Sequence, residues 1–218
     1  MFDTQIFSAL NPKARFVFAH GAGAGMHHDF MQQMATMLAN KGIEVVLFNF
    51  PYMQTMNETG KRRPPDKQQK LTDHFDALLN HITKEKDDLP LFIGGKSMGG
   101  RMATLLAEQY QTTSNAFSVR GVIVFGYPFH PSGKPEKLRV AHLEALEVPT
   151  LIVQGERDTF GTQTEVLGYS LSSAVNCEFM IDGDHSLKPR KASGRTLEGN
   201  LEQAATLASK FVLNHLNQ

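Results

Sequence analysis

The chain has no tryptophan, a single cysteine, no surplus of either charge and no long apolar run. Each shortage removes a class of protein. One cysteine, Cys177, cannot close an intramolecular disulfide, so nothing here calls for an oxidising compartment. The 22 basic and 22 acidic side chains leave a formal charge of +0, without the basic face that nucleic-acid binders need. The longest apolar runs, FVFA, VVLF and GVIVFGYPF, fall far short of the roughly 18 residues of a membrane span. The amino-terminal segment carries Asp3 and no extended apolar stretch, so it does not read as a signal peptide. With 41% hydrophobic and 20% charged residues the composition is globular rather than disordered. These absences lead us to expect a cytoplasmic protein without membrane or nucleic-acid partners. No repeat, low-complexity tract or linker marks a second unit, so one domain spanning 1–218 is expected.

What is present is alternation. Short apolar runs at Phe16–His20, Glu44–Phe48, Leu91–Gly94, Val119–Phe125, Thr150–Gln154 and Glu178–Ile181 are apolar on consecutive positions, as strands covered on both faces are. Between them, Phe30, Met34, Met37 and Leu38, then Leu71, Phe75, Leu78, Leu79 and Ile82, repeat at helical spacing. A last apolar stripe runs from Leu197 to Val212. Strand and helix in alternation predict an α/β fold with a mostly parallel sheet and helices on both faces. Two polar, proline-bearing stretches interrupt the rhythm: 51–70 and 127–136. Both follow strand ends, where ligand crevices of such sheets lie, so each reads as a surface loop or as a rim or lid over a pocket.

The chemistry concentrates in LFIGGKSMGGR, residues 91–101. Gly95-Lys96-Ser97-Met98-Gly99 reads GxSxG between an apolar strand and a helix pattern, the setting of a nucleophile elbow. A chain of this composition gives about 0.07 such matches by chance, so the strand–turn–helix context carries the inference. A phosphate loop needs glycine where Pro90 stands, and a dinucleotide fingerprint needs glycine where Met26 stands. A serine nucleophile requires a base, an acid to orient it and an oxyanion hole. Asp158 follows the run 150–154 and His185 follows the run 178–181, which gives the chain order Ser, Asp, His on one sheet edge. Asp182, Asp184 and, more weakly, Glu156 are alternative orienters. The oxyanion donors expected are the backbone N–H groups of Met98, next to the serine, and of Ala22 in the glycine-rich turn HGAGAG. His20, His27 and His28 lack partners at metal spacing, apart from Asp29, and read as structural or exposed. His74, His81 and His215 fall on helix patterns, while His130 and His142 have no evident partner.

With these residues in place, the chain resembles the α/β-hydrolase superfamily, in particular small bacterial hydrolases of the KANSL3/TEX-type family. The resemblance rests on HGAGAGM (20–26), FNFPYM (48–53), RRPPD (62–66), GGKSMGGRM (94–102) and GYPFHPSGKP (126–135). It continues through LRVAHL (138–143), VQGERDTFG (153–161) and DGDHSLKPRK (182–191). It implies a hydrolase core without a separate cap domain, with Ser97, Asp158 and His185 in the triad positions. The implied activity is a serine esterase or thioesterase using no metal or organic cofactor on a small acyl substrate. Some animal relatives are assembly subunits, so the alternative is a non-catalytic scaffold on the same fold. Lys96, Arg63 and Tyr127, beside the serine and in the two polar stretches, are the substrate-binding candidates, and basic residues there fit an acidic acyl group.

Overall fold

A computed structural model describes residues 2–84, 89–113 and 118–216; the expected extent 1–218 includes residues outside these. The described strands are β1 (Thr4–Phe7), β2 (Ala14–Ala19), β3 (Ile43–Phe48), β4 (Leu91–Lys96), β5 (Val119–Phe125), β6 (Thr150–Gly155) and β7 (Val175–Met180). They form one sheet in the order β1-β3-β2-β4-β5-β6-β7, in which only β1 is antiparallel to its neighbour. The helices are α1 (Asp29–Asn40), α2 (Pro51–Thr59), α3 (Gln68–Ile82), α4 (Met98–Thr112), α5 (Ala141–Glu144), α6 (Gln163–Val166) and α7 (Leu197–Asn214).

Consecutive apolar residues in a strand point to opposite faces, and both faces are covered. Val17 and Ala19 of β2 enter a core with Tyr52, Phe75, Leu106 and Leu143, contributed by α2 to α5. Phe16 and Phe18 enter a second core with Phe30, Met34, Leu201 and Ala205, contributed by α1 and α7. Burying each large side chain stabilises the fold by about 1.5–3 kcal/mol relative to exposure. The register pairs Ala19 with both Phe48 and Gly95, Gly95 with Val124, and Gly155 with Met180. The carboxyl ends of the central strands therefore finish together, and their loops share one edge. No described helix is long and apolar enough to cross a membrane.

Three elements depart from the sequence reading. Strand β1 was not expected: it is only four residues long and alternates exposed with half-buried positions, so it makes no apolar run. The stretch 51–70 is not one loop. Pro51 opens α2, Gly60 closes it in a left-handed conformation with φ 68°, and α3 begins at Gln68. The last strand lies three residues earlier at its start than 178–181, and Ile181 leaves the sheet with 41% of its surface exposed.

Candidate active site

Ser97 sits between β4 and α4 at φ 53° and ψ −115°, a conformation that non-glycine residues rarely hold. Close backbone approach on both sides imposes this turn. A methyl group at Gly95 would lie 2.3 Å from the Gly99 carbonyl carbon, and one at Gly99 would lie 2.4 Å from the Ala19 oxygen. Both flanking positions thus exclude a side chain, and the serine is carried above the helix start. Met98 is the first residue of α4, so its N–H belongs to the donors that a helix leaves free at its amino end.

The loops after β6 and β7 deliver the two partners. His185 Nε2 lies 2.8 Å from Ser97 Oγ, and His185 Nδ1 lies 2.8 Å from Asp158 Oδ2. Asp158 is fully buried. Its Oδ1 accepts from the Phe160 N–H at 2.9 Å, and its Oδ2 accepts a second bond from Gln154 Nε2 at 2.8 Å. Phe160 packs against the imidazole with ring centroids 4.4 Å apart.

Gln154 was missed by sequence reasoning. Its amide also accepts from the Tyr127 N–H at 2.7 Å and donates to Gly161 O at 3.0 Å, tying the loops after β5 and β6 to Asp158. The available signal was a glutamine completing an otherwise apolar strand, TLIVQ, at its carboxyl end.

The alternative orienters are engaged elsewhere. Asp182 bonds Arg190 and Arg157, and the Arg190 hydrogen bonds hold its carboxyl down at about 2. Asp184 Oδ1 accepts from the Ser186 and Lys188 N–H groups, and Glu156 accepts from the Asp182 N–H. These three brace the loop that carries His185.

The candidate substrate contacts divide. Lys96 lines the cavity beside Ser97, a space of about 410 Å³ that Ala22, Phe30, Phe160 and His185 also border. The Lys96 ammonium donates to the His185 carbonyl oxygen and sits 5.4 Å from the Phe30 ring centroid. Arg63 does not border this cavity; it lies 3.7 Å from Asp66 on an exposed stretch. Tyr127 is a correction, because it is fully buried and outside that lining. Its hydroxyl donates to Arg139 O at 2.9 Å and lies 3.3 Å from His142 Nε2, since the loop after β5 folds its aromatic side chain into the core. His142, without evident partner in the sequence, also contacts Thr104 Oγ1 at 2.9 Å. Neither α2 nor the 60–67 segment borders the cavity, so neither covers it as a lid in this structure.

Burial pushes the Lys96 ammonium down to about 8 from 10.5, against the pull of Asp158 and Asp184. The folded value lies below the unfolded one, so unfolding takes up a proton between those pH values. Stability from this residue is therefore lowest below pH 8 and rises as pH climbs toward 10.5. Urea unfolding at about pH 7 and about pH 9.5 checks this. The gap between wild type and Lys96→Met is expected to shift in favour of the wild type at the higher pH, and an unchanged gap would refute it.

A family model described as an alpha/beta hydrolase domain matches residues 12–213. Over 117 residues the chain is 27% identical to a monoglyceride lipase of Mus musculus, covering 54% of this chain and 37% of the lipase. The chain thus matches little more than a third of that relative's length. Among solved structures, an α/β serine hydrolase without lid from Xanthomonas campestris superposes with a TM-score of 0.73 at 18% identity, covering 100% of this chain and 90% of that one. A dienelactone hydrolase from Anabaena variabilis gives 0.72 at 19% identity, covering 98% and 92%. At these identities the likeness is one of fold. Among the described residues the architecture is a single domain of this type, with a seven-stranded, mostly parallel sheet and no separate cap.

Proposed function

The chain belongs to the alpha/beta hydrolase family, and from that premise we propose that it is a serine hydrolase cleaving a carboxylic ester or thioester of a small to medium acyl group. The observation that carries this reading is the continuous hydrogen-bonded line from Ser97 Oγ through His185 to buried Asp158. Ser97 Oγ forms a bond to the acyl carbon while His185 Nε2 takes the hydroxyl proton. The Met98 and Ala22 N–H groups receive the carbonyl oxygen as it becomes an anion. The bond to the leaving group then breaks, and the imidazolium returns its proton to that group. Water, activated by the same imidazole, releases the acid and restores the serine. Asp158 holds the ring so that Nε2 faces Ser97. Every bond and proton change in this scheme is carried by these groups, so it uses no metal or organic cofactor.

Lys96 faces the acyl group in this proposal, and Arg63 acts only on substrates that extend beyond the cavity. The domain spans 1–218, the setting is cytoplasmic, and the KANSL3/TEX-type branch is the part of the family its sequence strings favour. The mouse lipase match supports an ester substrate. The scaffold alternative draws no support from the site, where serine and histidine are within bonding distance and the neighbouring cavity is open.

A fluorophosphonate probe tests the reading. One adduct per chain is expected by intact mass, mapped to the peptide containing Ser97, together with turnover within a panel of p-nitrophenyl esters and acyl thioesters. Absence of an adduct, or an adduct mapped elsewhere, would overturn it.

A further inference from the structure

The turn that carries Ala22 is held from behind by a buried hydrogen-bond network that the mechanism does not use. His20, at the end of β2, is fully buried and lies with its Nδ1 2.7 Å from Gly21 O. Its Nε2 accepts from the Phe50 N–H at 3.1 Å. A carbonyl only accepts and an N–H only donates, so the ring is the neutral tautomer with its proton on Nδ1. Burial favours that state, lowering the group to about 4. Tyr52, from α2, donates its hydroxyl proton to Ala22 O at 3.0 Å, with Gly21 O at 3.3 Å. Burial pushes this phenol up from its ordinary value, so it remains a donor. Beyond the turn, Asn49 Oδ1 accepts from the Met26 N–H at 2.9 Å. Residues 49–52 thus grip the turn from the side away from the cavity.

Peptide geometry converts this grip into a direction. Gly21 O and the Ala22 N–H belong to one planar, trans peptide, so they point opposite ways. His20 fixes the oxygen toward the buried side. The N–H must then point toward the cavity, which Gly21, Ala22 and Ser97 all border. The turn also lies against the nucleophile, since a methyl group at Gly21 would sit 3.6 Å from Ser97 Cβ. We propose that His20, which holds the Gly21–Ala22 peptide by its oxygen, and Tyr52, which holds the next peptide at Ala22 O and reaches Gly21 O, are positioning residues that lock the turn with the Ala22 N–H facing the oxyanion formed at Ser97. This rests on the serine-hydrolase reading and extends it to two residues outside the triad. It also assigns a role to the start of α2, which the sequence presents as loop.

Tyr52→Phe removes one hydroxyl and keeps the ring that packs against His20 at 5.8 Å. Losing an oxyanion donor outright costs about 10²–10³ in kcat, so loosening one is expected to cost roughly tenfold. The loss should fall on kcat with KM unchanged. Affinity for a trifluoromethyl ketone, which forms an oxyanion on Ser97, should weaken by the same factor, while affinity for the carboxylic acid product stays as it was. His20→Asn, whose amide still donates to Gly21 O, should retain more kcat than His20→Ala. If His20→Ala does not fold, the Tyr52→Phe measurements decide alone. A wild type that labels and turns over, with Tyr52→Phe equally fast and equally tight for the ketone, overturns the positioning role and leaves the hydrolase reading standing. A wild type that neither labels nor turns over removes the hydrolase reading, and this inference with it.

Discussion

Ser97→Ala is expected to lower kcat/KM on any ester the wild type cleaves by about 10⁴–10⁶-fold, and to abolish fluorophosphonate labelling. The variant should fold as before. Alanine has the same Cβ, so it meets the same φ of 53° with no new penalty, and the glycine contacts on either side are untouched. The lost hydroxyl contacts His185 alone among its described side-chain partners, and that ring stays held by Asp158 and packed against Phe160. Thermal unfolding is therefore expected within about 2 °C of the wild type, a shift corresponding to well under 1 kcal/mol. Such separation of activity from stability is what distinguishes a nucleophile from a core serine. Turnover by the variant at a tenth of the wild-type rate would remove Ser97 from the role. Residual acceleration over water should persist, because the Met98 and Ala22 donors and the cavity are unchanged.

Much of the site was legible because its signals are local. Glycines on both sides of a serine, between an apolar run and a helix pattern, describe a turn that the backbone contacts of Gly95 and Gly99 then require. Asp158 and His185 were placed by a global rule: parallel strands bring their carboxyl-end loops to one edge. Side-chain direction was not legible. Tyr127 begins a loop at that edge, yet the Gln154 amide captures its backbone and turns its ring inward. Gln154 itself looked like the end of an apolar run because its partners, Tyr127 in the loop after β5 and Asp158 and Gly161 in the loop after β6, meet it only once those loops fold over the strand end. Helix α2 was hidden by composition: PYMQTMNET buries only Tyr52 and Met53, too few apolar residues to announce a stripe. Arg63 carried charge in the right stretch, but exposure left it with Asp66 as its partner.

The second large effect is expected at Asp158, where replacement by asparagine keeps the shape and changes the donors. Oδ2 receives two N–H groups, from His185 and from Gln154, and Oδ1 receives the Phe160 N–H. An asparagine has one oxygen for these two places. With its amide nitrogen at the Oδ2 place, it faces Gln154 Nε2 donor to donor, and His185 must present a bare Nδ1. The proton then moves to Nε2 and points at Ser97, which leaves the serine without a base; kcat is expected to fall about 10⁴-fold. With the nitrogen at the Oδ1 place, the clash is with the Phe160 N–H, and the imidazolium loses only its counter-charge. Either way a buried donor goes unsatisfied, so stability should drop by about 1–3 kcal/mol in urea titrations. Asp182→Asn and Asp184→Asn supply the contrast. Their carboxylates hold Arg190, Arg157 and the turn at 186–188, and touch neither nitrogen of His185. They should loosen the loop and leave kcat within about tenfold, the range of a misplaced rather than a missing group. A kcat for Asp158→Asn inside that same range, with Asp184→Asn falling below it, would move the orienting role to Asp184.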